Sequence, residues 1–474
     1  MAYRYGNRYQ QTMFPQSIEE YIAEDDKVRA YDAFVEALDL NELGIILEEG
    51  QVGNPDYDPK AMLKLLVYGY SYGIRSSRKL ERATHHNVAF IWLMGGLKPD
   101  HKTIANFRKN NKGSLKNVLK QCARLCIKLG LIEGNTLFID GSKIRANASI
   151  DNVWTPEKCD RYLKKIDEHI ETILKECDSV DETEQNDESL VKLSKELKDK
   201  EILKAKVQGI LKELKEQERK SINTTDPDSI KTKGRQGTHA GYNGQIVVDE
   251  KHGLIVSSDV VSDNNDRNQF ARQIEQAHAV LEHSCENAVA DAGYAATDEL
   301  KKVVDQGVNV IVPSEEQVSE TNLKPFAKEQ FKYDAEGNFY TCPEGHKLLY
   351  QGFDKEKQVK VYGASKTGCQ ACKHFGICTT SPHGRRIKRL INEETKKQVE
   401  DNYRTKESQA IYRHRKEKVE LPFGHIKRNL GAGAFLIRGR EGVRAEFSIL
   451  ASCFNLARIT TLLGVKPFIK ALST

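Results

Sequence analysis

Two short apolar runs, each closed by an aspartate, constrain the fold more than any other feature of the chain. Leu137-Phe138-Ile139 leads into Asp140-Gly141-Ser142-Lys143, and Ala288-Val289-Ala290 leads into Asp291-Ala292-Gly293-Tyr294. Such runs are too short for helices and have no polar face, so they read as buried strands of a central sheet. A lone aspartate after a strand is most simply a turn or cap residue. Two of them on neighbouring strands are different, because close like charges repel unless a cation neutralises them. A third acid, Glu420, lies in the basic stretch Arg413-His414-Arg415-Lys416-Glu417-Lys418-Val419-Glu420, with Lys427 seven positions later. Hard divalent cations take oxygen donors of this kind, and two such ions about 4 Å apart can drive in-line displacement at a phosphodiester. The pattern points to metal-dependent DNA chemistry.

The elements around these acids change period along the chain. Residues 1–130 read as an all-helical domain. Within it, Asp58-Pro59 is a helix start, and Met62, Leu63, Leu65, Leu66, Val67 and Tyr70 make that helix apolar on more than one face. Val118, Leu119, Cys122, Leu125, Cys126 and Leu129 form a further amphipathic helix that Gly130 closes. Thr136–Asp140 is a strand. A charged helical segment follows over 155–221, with a turn expected at Asp181–Asp187. It reads either as an arm that dimerises or touches DNA, or as a helical hairpin insertion solvated on one side. Gly244–Asp249 and Leu254–Val261 predict a β-hairpin. Asp266–Glu282 predicts a helix, Asn287–Ala290 and Val308–Val312 predict strands, and helical periodicity returns from about 441 to 471. This order predicts a mixed α/β sheet of ribonuclease-H type in 131–313 and 405–474, with the helical insertion 155–221 and a Cys-rich insertion at 314–404.

Composition narrows the setting. The 474 residues are 39% hydrophobic and 30% charged, with 73 basic against 68 acidic residues and a net charge of +5. That excess alone does not mark a nucleic-acid binder, but the span from Arg385 to Arg440 is densely basic, and a local basic face can bind phosphates. No run approaches the roughly 20 apolar residues of a membrane span, and Met1-Ala2-Tyr3-Arg4-Tyr5-Gly6 has no signal-peptide core. The expectation is a cytoplasmic protein with no membrane partner.

Four of the ten cysteines cluster. Cys369 and Cys372 have the spacing of a metal knuckle, and Cys342 and Cys378 are available to complete four thiolates for a structural Zn²⁺. His346, His374 and His383 are alternative ligands. Unrelated reduced thiols and a redox pair are the other readings. Arg385 and Arg386, in the run Arg385-Arg386-Ile387-Lys388-Arg389, and Arg75 and Arg78 are candidate DNA contacts; for all of them an ordinary solvated face is the competing reading.

The chain resembles a DDE transposase of a bacterial insertion sequence. The matching features occur in order: Asp58-Pro59 through Tyr70, Ile74-Arg75-Ser76-Ser77-Arg78, Leu80-Glu81, Pro99-Asp100-His101-Lys102-Thr103 with Phe107-Arg108, Asp140-Gly141-Ser142-Lys143, Gly241-Tyr242-Asn243-Gly244-Gln245, Val248-Asp249, Ala290-Asp291-Ala292-Gly293-Tyr294, and Val419-Glu420 with Phe423-Gly424, Ile426-Lys427, Asn429-Leu430-Gly431, Arg438-Gly439 and Glu446. They span about 58–463. The resemblance implies that Asp140, Asp291 and Glu420 are catalytic and hold two Mg²⁺ (or Mn²⁺) ions. Glu420 is preferred over Glu417 because of Lys427 seven residues on. Tyr412, Arg413, Arg415 and Lys416 stand upstream at a spacing that departs from the family's; Arg413, Arg415, Lys416 and Lys427 are the phosphate-contact candidates.

What the resemblance implies is a protein of the nucleoid that binds the terminal inverted repeats of an element, cleaves there, and joins the freed 3′-OH to target DNA, working as a homodimer on double-stranded DNA. Two rivals stand beside it: a metal-dependent nuclease that does not transfer strands, and an inactive or domesticated copy that only binds DNA.

Overall fold

The structure is a computed structural model that describes residues 17–45, 56–181, 187–234, 237–318, 326–355 and 358–473. Helices dominate the first 130 residues: α1 (Lys27–Glu36), α2 (Pro59–Ser71), α3 (Ser77–His86), α4 (His101–Asn110) and α5 (Val118–Lys128). Helix α2 begins where Asp58-Pro59 predicts. The Asp58 carboxylate accepts from the backbone N–H groups of Lys60 and Ala61 at 3.0 and 3.2 Å, and Pro59 takes the position where a missing N–H costs nothing. Its apolar residues are buried on more than one face because α10 (Arg440–Leu463) packs against it as well as α1.

The central sheet holds six strands: β1 (Thr136–Arg145), β2 (Ile230–Gly234), β3 (Gly237–Asp249), β4 (Ile255–Val261), β5 (Asn287–Val289) and β6 (Asn309–Ile311). Antiparallel pairs join β4 to β3 and β3 to β1, and parallel pairs join β1 to β5 and β5 to β6. The order β4-β3-β1-β5-β6 is the ribonuclease-H-like arrangement, with β2 pairing with the first half of β3. Here β1 and β5 run side by side in register, Leu137 opposite Ala288 and Phe138 opposite Val289. Their shared direction brings the acids that end the two apolar runs to the same end of the sheet.

Helix α10 is the spine of the molecule. It packs on β4, on α2 and on α5, and nearly every residue from Gly442 to Leu456 is buried. One continuous core therefore joins the N-terminal helices to the sheet, through Phe34, Leu66, Cys122, Phe138, Val248, Val289 and Phe447. The C-terminal helical periodicity expected for 441–471 breaks at Gly464, whose φ of +82° ends α10 before a last helix, Val465–Leu472. No single helix among the described residues is long and apolar enough to cross a membrane.

Two insertions carry cores of their own. Helices α6 (Pro156–Asp181) and α7 (Asp187–Glu216) pack together around Cys159, Ile166, Val207, Ile210 and Leu214, closed at the base by Trp154 opposite Ile222. Of the turn expected at Asp181–Asp187, residues 182–186 lie outside the described residues, and Asp181 and Asp187 are the adjoining ends of the two helices. The Cys-rich segment folds as an antiparallel meander: β7 (Lys332–Asp334), β8 (Phe339–Thr341), β9 (Lys347–Asp354), β10 (Val359–Ala364) and β11 (Arg386–Leu390). Helix α9 (Lys406–Gly424) then returns the chain to β1 and β3.

Arg75, expected as a DNA contact, is instead part of the core. It is 7% exposed, and its Nη1 lies 2.7 Å from the fully buried Glu446 of α10. Its other donors reach the carbonyls of Ala434 and Gly431 at 3.0 and 2.6 Å, while Glu446 also accepts from the N–H groups of Leu436 and Ile437. The Ser76 cap region exposes Arg78 but turns Arg75 inward, so exposure on this helix start could not be read from charge alone. Replacing one partner of such a pair strands a buried charge. Arg75→Met is expected to cost about 3–5 kcal/mol, read as a lowered denaturation midpoint. The double variant Arg75→Met/Glu446→Met is expected to recover part of that loss, and a purely additive pair would show that the ion pair is not coupled.

Candidate active site

Asp140 sits on β1 opposite Ile246 of β3, at the point where the fully buried run Leu137–Ile139 gives way to partly exposed residues. Asp291 follows β5 directly and caps the short turn Ala292–Tyr294. Its Oδ1 accepts from Gly293 N–H at 2.8 Å, which leaves Oδ2 pointing outward. The two carboxylates meet at one cation. Arg415 Nη2 lies 2.8 Å from Asp291 Oδ2 and 3.7 Å from Asp140 Oδ1. Burial pushes the Asp140 carboxyl up to about 6; Arg415 opposes that rise, and the charges of Asp291 and Asp266 add to it.

Helix α9 reaches the acids because it lies along β1. At its far end Lys427 Nζ donates to Ser142 Oγ and to the Lys143 carbonyl, the latter at 3.0 Å. The structure runs α9 through Pro422 and widens into a π-helical turn, His425–Asn429. That turn carries Lys427 to β1.

Glu420 is exposed on α9, and so is Glu417. Among the described residues no three His, Cys, Asp or Glu side chains are grouped to hold a metal. The structure thus brings Asp140 and Asp291 together and does not gather Glu420 with them. The donor chemistry of the pair still fits a hard cation: two carboxylates converge, and a single guanidinium nitrogen stands as the positive charge between them.

Of the other basic candidates, Arg413 and Lys416 are exposed on α9, Arg78 is exposed on α3 and Arg386 on β11. Arg385 departs from expectation. Its guanidinium donates to the carbonyls of Cys378 and Phe326 and lies 5.5 Å from the Phe331 ring, so it packs inside the Cys-rich module. Cys342, Cys369, Cys372 and Cys378 line one cavity of that module, together with His346 and His374.

A carboxylate that the sequence reading missed lies beside the pair. Asp266 was read as the start of a helix, but that helix, α8, spans Phe270–Leu281. Asp266 Oδ1 instead accepts from Asn243 Nδ2 and Gln245 Nε2, both at 2.6 Å, and Tyr294 OH donates to Gln245 Oε1. Asn243 and Gln245 are fully buried. The signal was present in β3: two amides at alternate positions share one face of a strand that is otherwise buried, and such a face needs polar partners.

Residues 16–110 match the family described as a transposase domain (DUF772), and residues 341–460 match the transposase DDE domain. The two matches support a DDE transposase of insertion-sequence type. The second match contains Glu420 and Lys427, whereas Asp140 and Asp291 fall between the two matched segments. Among solved structures, a piggyBac transposase synaptic complex with hairpin DNA, seen by cryo-EM, is 10% identical. It covers 94% of this chain and 79% of that chain at a TM-score of 0.34. The comparison with curated proteins gave no match.

In this transposase Gly141 is the tightest point of the site. A Cβ there would stand 2.3 Å from Gln245 Nε2 and 2.5 Å from Asp266 Oδ1, so the amide–carboxylate cluster packs directly on the glycine next to Asp140. Gly141→Ala is expected to lower stability by about 1–3 kcal/mol, measured by denaturant titration. An unshifted midpoint would mean that the cluster relaxes freely.

Proposed function

We propose that the chain is a DNA transposase that binds the terminal inverted repeats of its element and performs metal-dependent cleavage and strand transfer by a DDE mechanism. The observation that carries this reading is the convergence of Asp140 and Asp291, from two parallel strands, on one guanidinium of α9. Two carboxylates that require a cation to coexist are what a divalent ion replaces an arginine to satisfy. Asp140, Asp291 and Glu420 are the residues assigned to hold Mg²⁺ or Mn²⁺. When bound, such ions lower the pKa of an attacking water and stabilise a leaving oxygen at phosphorus.

The protein's own groups prepare that chemistry. Arg415 neutralises the carboxylates while no metal is present and, on moving aside, becomes available to a DNA phosphate. Lys427, anchored on Ser142 Oγ and the Lys143 carbonyl, lies beside the acid end of β1, where it can stabilise charge that develops on a phosphoryl oxygen. Asp266, Asn243 and Gln245 fix the backbone next to Asp140. At the element end, water attacks phosphorus, so that a new P–O bond leaves a 5′-phosphate while the bond to the 3′-oxygen breaks and that oxygen takes up a proton. The resulting 3′-OH then attacks a phosphodiester of the target and displaces its 3′-oxygen. Residues 1–130 are assigned to end recognition, with Arg78 among its contacts, and 131–313 with 405–474 to catalysis. Arg413, Lys416 and Arg386 are assigned to the phosphate backbone. Two protomers are assigned to hold the two ends of the element.

The test is cleavage and joining of a labelled element-end duplex in Mg²⁺ and in EDTA. Asp140→Asn, Asp291→Asn and Glu420→Gln are expected to lose cleavage by several orders of magnitude while still shifting the duplex in a binding assay; Glu417→Gln is expected to cut. Equal cutting by Glu420→Gln and wild type would remove Glu420 from the site. Cleavage without joined products would favour a nuclease, and binding without cleavage in every protein would favour a DNA-binding module. A second measurement isolates the counter-ion role. Arg415→Met is expected to gain more thermal stability from Mg²⁺ than wild type does, because its carboxylates have lost their cation. An identical Mg²⁺ response in both proteins would argue against that role.

A further inference from the structure

The Cys-rich module has too little core for its size. Among the described residues, five strands between Lys332 and Leu390 enclose six buried side chains in the module's own cluster: Phe331, Tyr340, Leu348, Tyr362, Ala364 and Ile387. Leu349, Tyr350, Phe353, Phe375 and Ile377 are exposed. Small folds of this kind are generally closed by disulfides or a structural metal. All four cysteines of the module are free thiols.

Those thiols come from three separate turns and face one small cavity. Cys342 follows β8 in the turn Cys342-Pro343-Glu344-Gly345-His346. There Gly345 takes a φ of +83°, and the chain folds back so that His346 N–H donates to Cys342 Sγ at 3.3 Å. Cys369 lies in the helical turn Lys366–Gln370, and Arg385 N–H donates to its Sγ at 3.4 Å. Cys372 and Cys378 lie in the loop that follows, in which Cys372 N–H donates to the Cys369 carbonyl. All four line a cavity of about 30 Å³, walled by Phe326, Phe331 and Leu348. His374 is engaged by Glu344 at 3.1 Å, which leaves sulfur as the predominant donor type.

We infer that Cys342, Cys369, Cys372 and Cys378 form a structural Zn²⁺ site that closes this module. As they stand, no three of them are grouped as a metal set, so binding draws the three turns together. Zinc prefers four thiolates in tetrahedral array, and loading releases the thiol protons to solvent. The site is separate from the acidic pair and does not depend on the proposed DNA chemistry. Arg385 is assigned to the charge balance of the thiolates, which accounts for its position inside the module.

The experiment uses the full chain, purified under reducing conditions without chelator. Metal content by plasma emission is expected to be close to one zinc per chain. It is expected to fall to background in Cys369→Ser and Cys372→Ser and to persist in Cys159→Ala, whose thiol lies in the helical hairpin. Wild type alone supplies a second readout that needs no variant to fold. Exchange for Co²⁺ is expected to give the visible bands of tetrahedral thiolate coordination, and chelation is expected to expose four additional thiols to titration. Metal-free protein in which all four thiols react at once would overturn the proposal. So would a mass corresponding to disulfides, or zinc retained equally by Cys369→Ser.

Discussion

The buried ion pair between Arg75 and Glu446 is the joint on which the arrangement of the molecule depends. Glu446 lies in the most buried stretch of α10, where an unpaired carboxylate would be untenable. Arg75 answers it from the N-terminal helices, and Arg108 supports Arg75 by donating to its carbonyl at 2.8 Å. The remaining donors of Arg75 hold the carbonyls of Gly431 and Ala434, and the loop they belong to is bonded in turn to β1, with Phe435 N–H donating to the Arg145 carbonyl at 2.8 Å. One charge pair thus ties the N-terminal helices, the spine helix and the end of the strand that carries Asp140. The same loop follows the π-helical turn that delivers Lys427.

At the acidic pair one positive charge serves two negative ones. Two carboxylates at adjacent strand ends raise each other's energy, and a single arginine relieves both. Behind them the amides of Asn243 and Gln245 turn Asp266 towards the glycine that follows Asp140. Gly141 is small because a carboxylate and an amide already occupy the space a side chain would take. Local chain geometry and electrostatics therefore act together, and neither alone would fix where the Asp140 carboxylate points.

The two insertions are stabilised in different ways. The α6–α7 hairpin buries an apolar seam over Cys159–Ile170 and Val207–Leu214 and adds ion pairs such as Lys204–Asp167 at 2.7 Å. The meander of β7 to β11 has a short core rich in tyrosine, with Tyr362 in edge contact with Tyr333 and Tyr340, and Arg389 stacked 3.7 Å over Tyr333. A hairpin can lengthen its seam turn by turn. A small sheet cannot, and its cysteines lie where that limit falls.

Much of the architecture was legible in the chain. The period change at Thr136, the strands that deliver Asp140 and Asp291, the capped start of α2 and the paired helices of the first insertion follow from residue spacing, because secondary-structure periodicity is a local property. What the sequence could not decide is which charged residues face inward. Arg75 and Arg78 are three positions apart, as are Arg413 and Lys416, yet Arg75 is core and the other three are exposed. Arg415, between the latter two, reaches both acids only because α9 lies on β1. Asp266 reads from periodicity as the first residue of a helix, and only β3 supplies the two buried amides that hold it. The sequence by itself determined the strands, the helices and the two acids at strand ends; only the tertiary structure decided the partners of the charges, because a charge is placed by what lies across the fold from it.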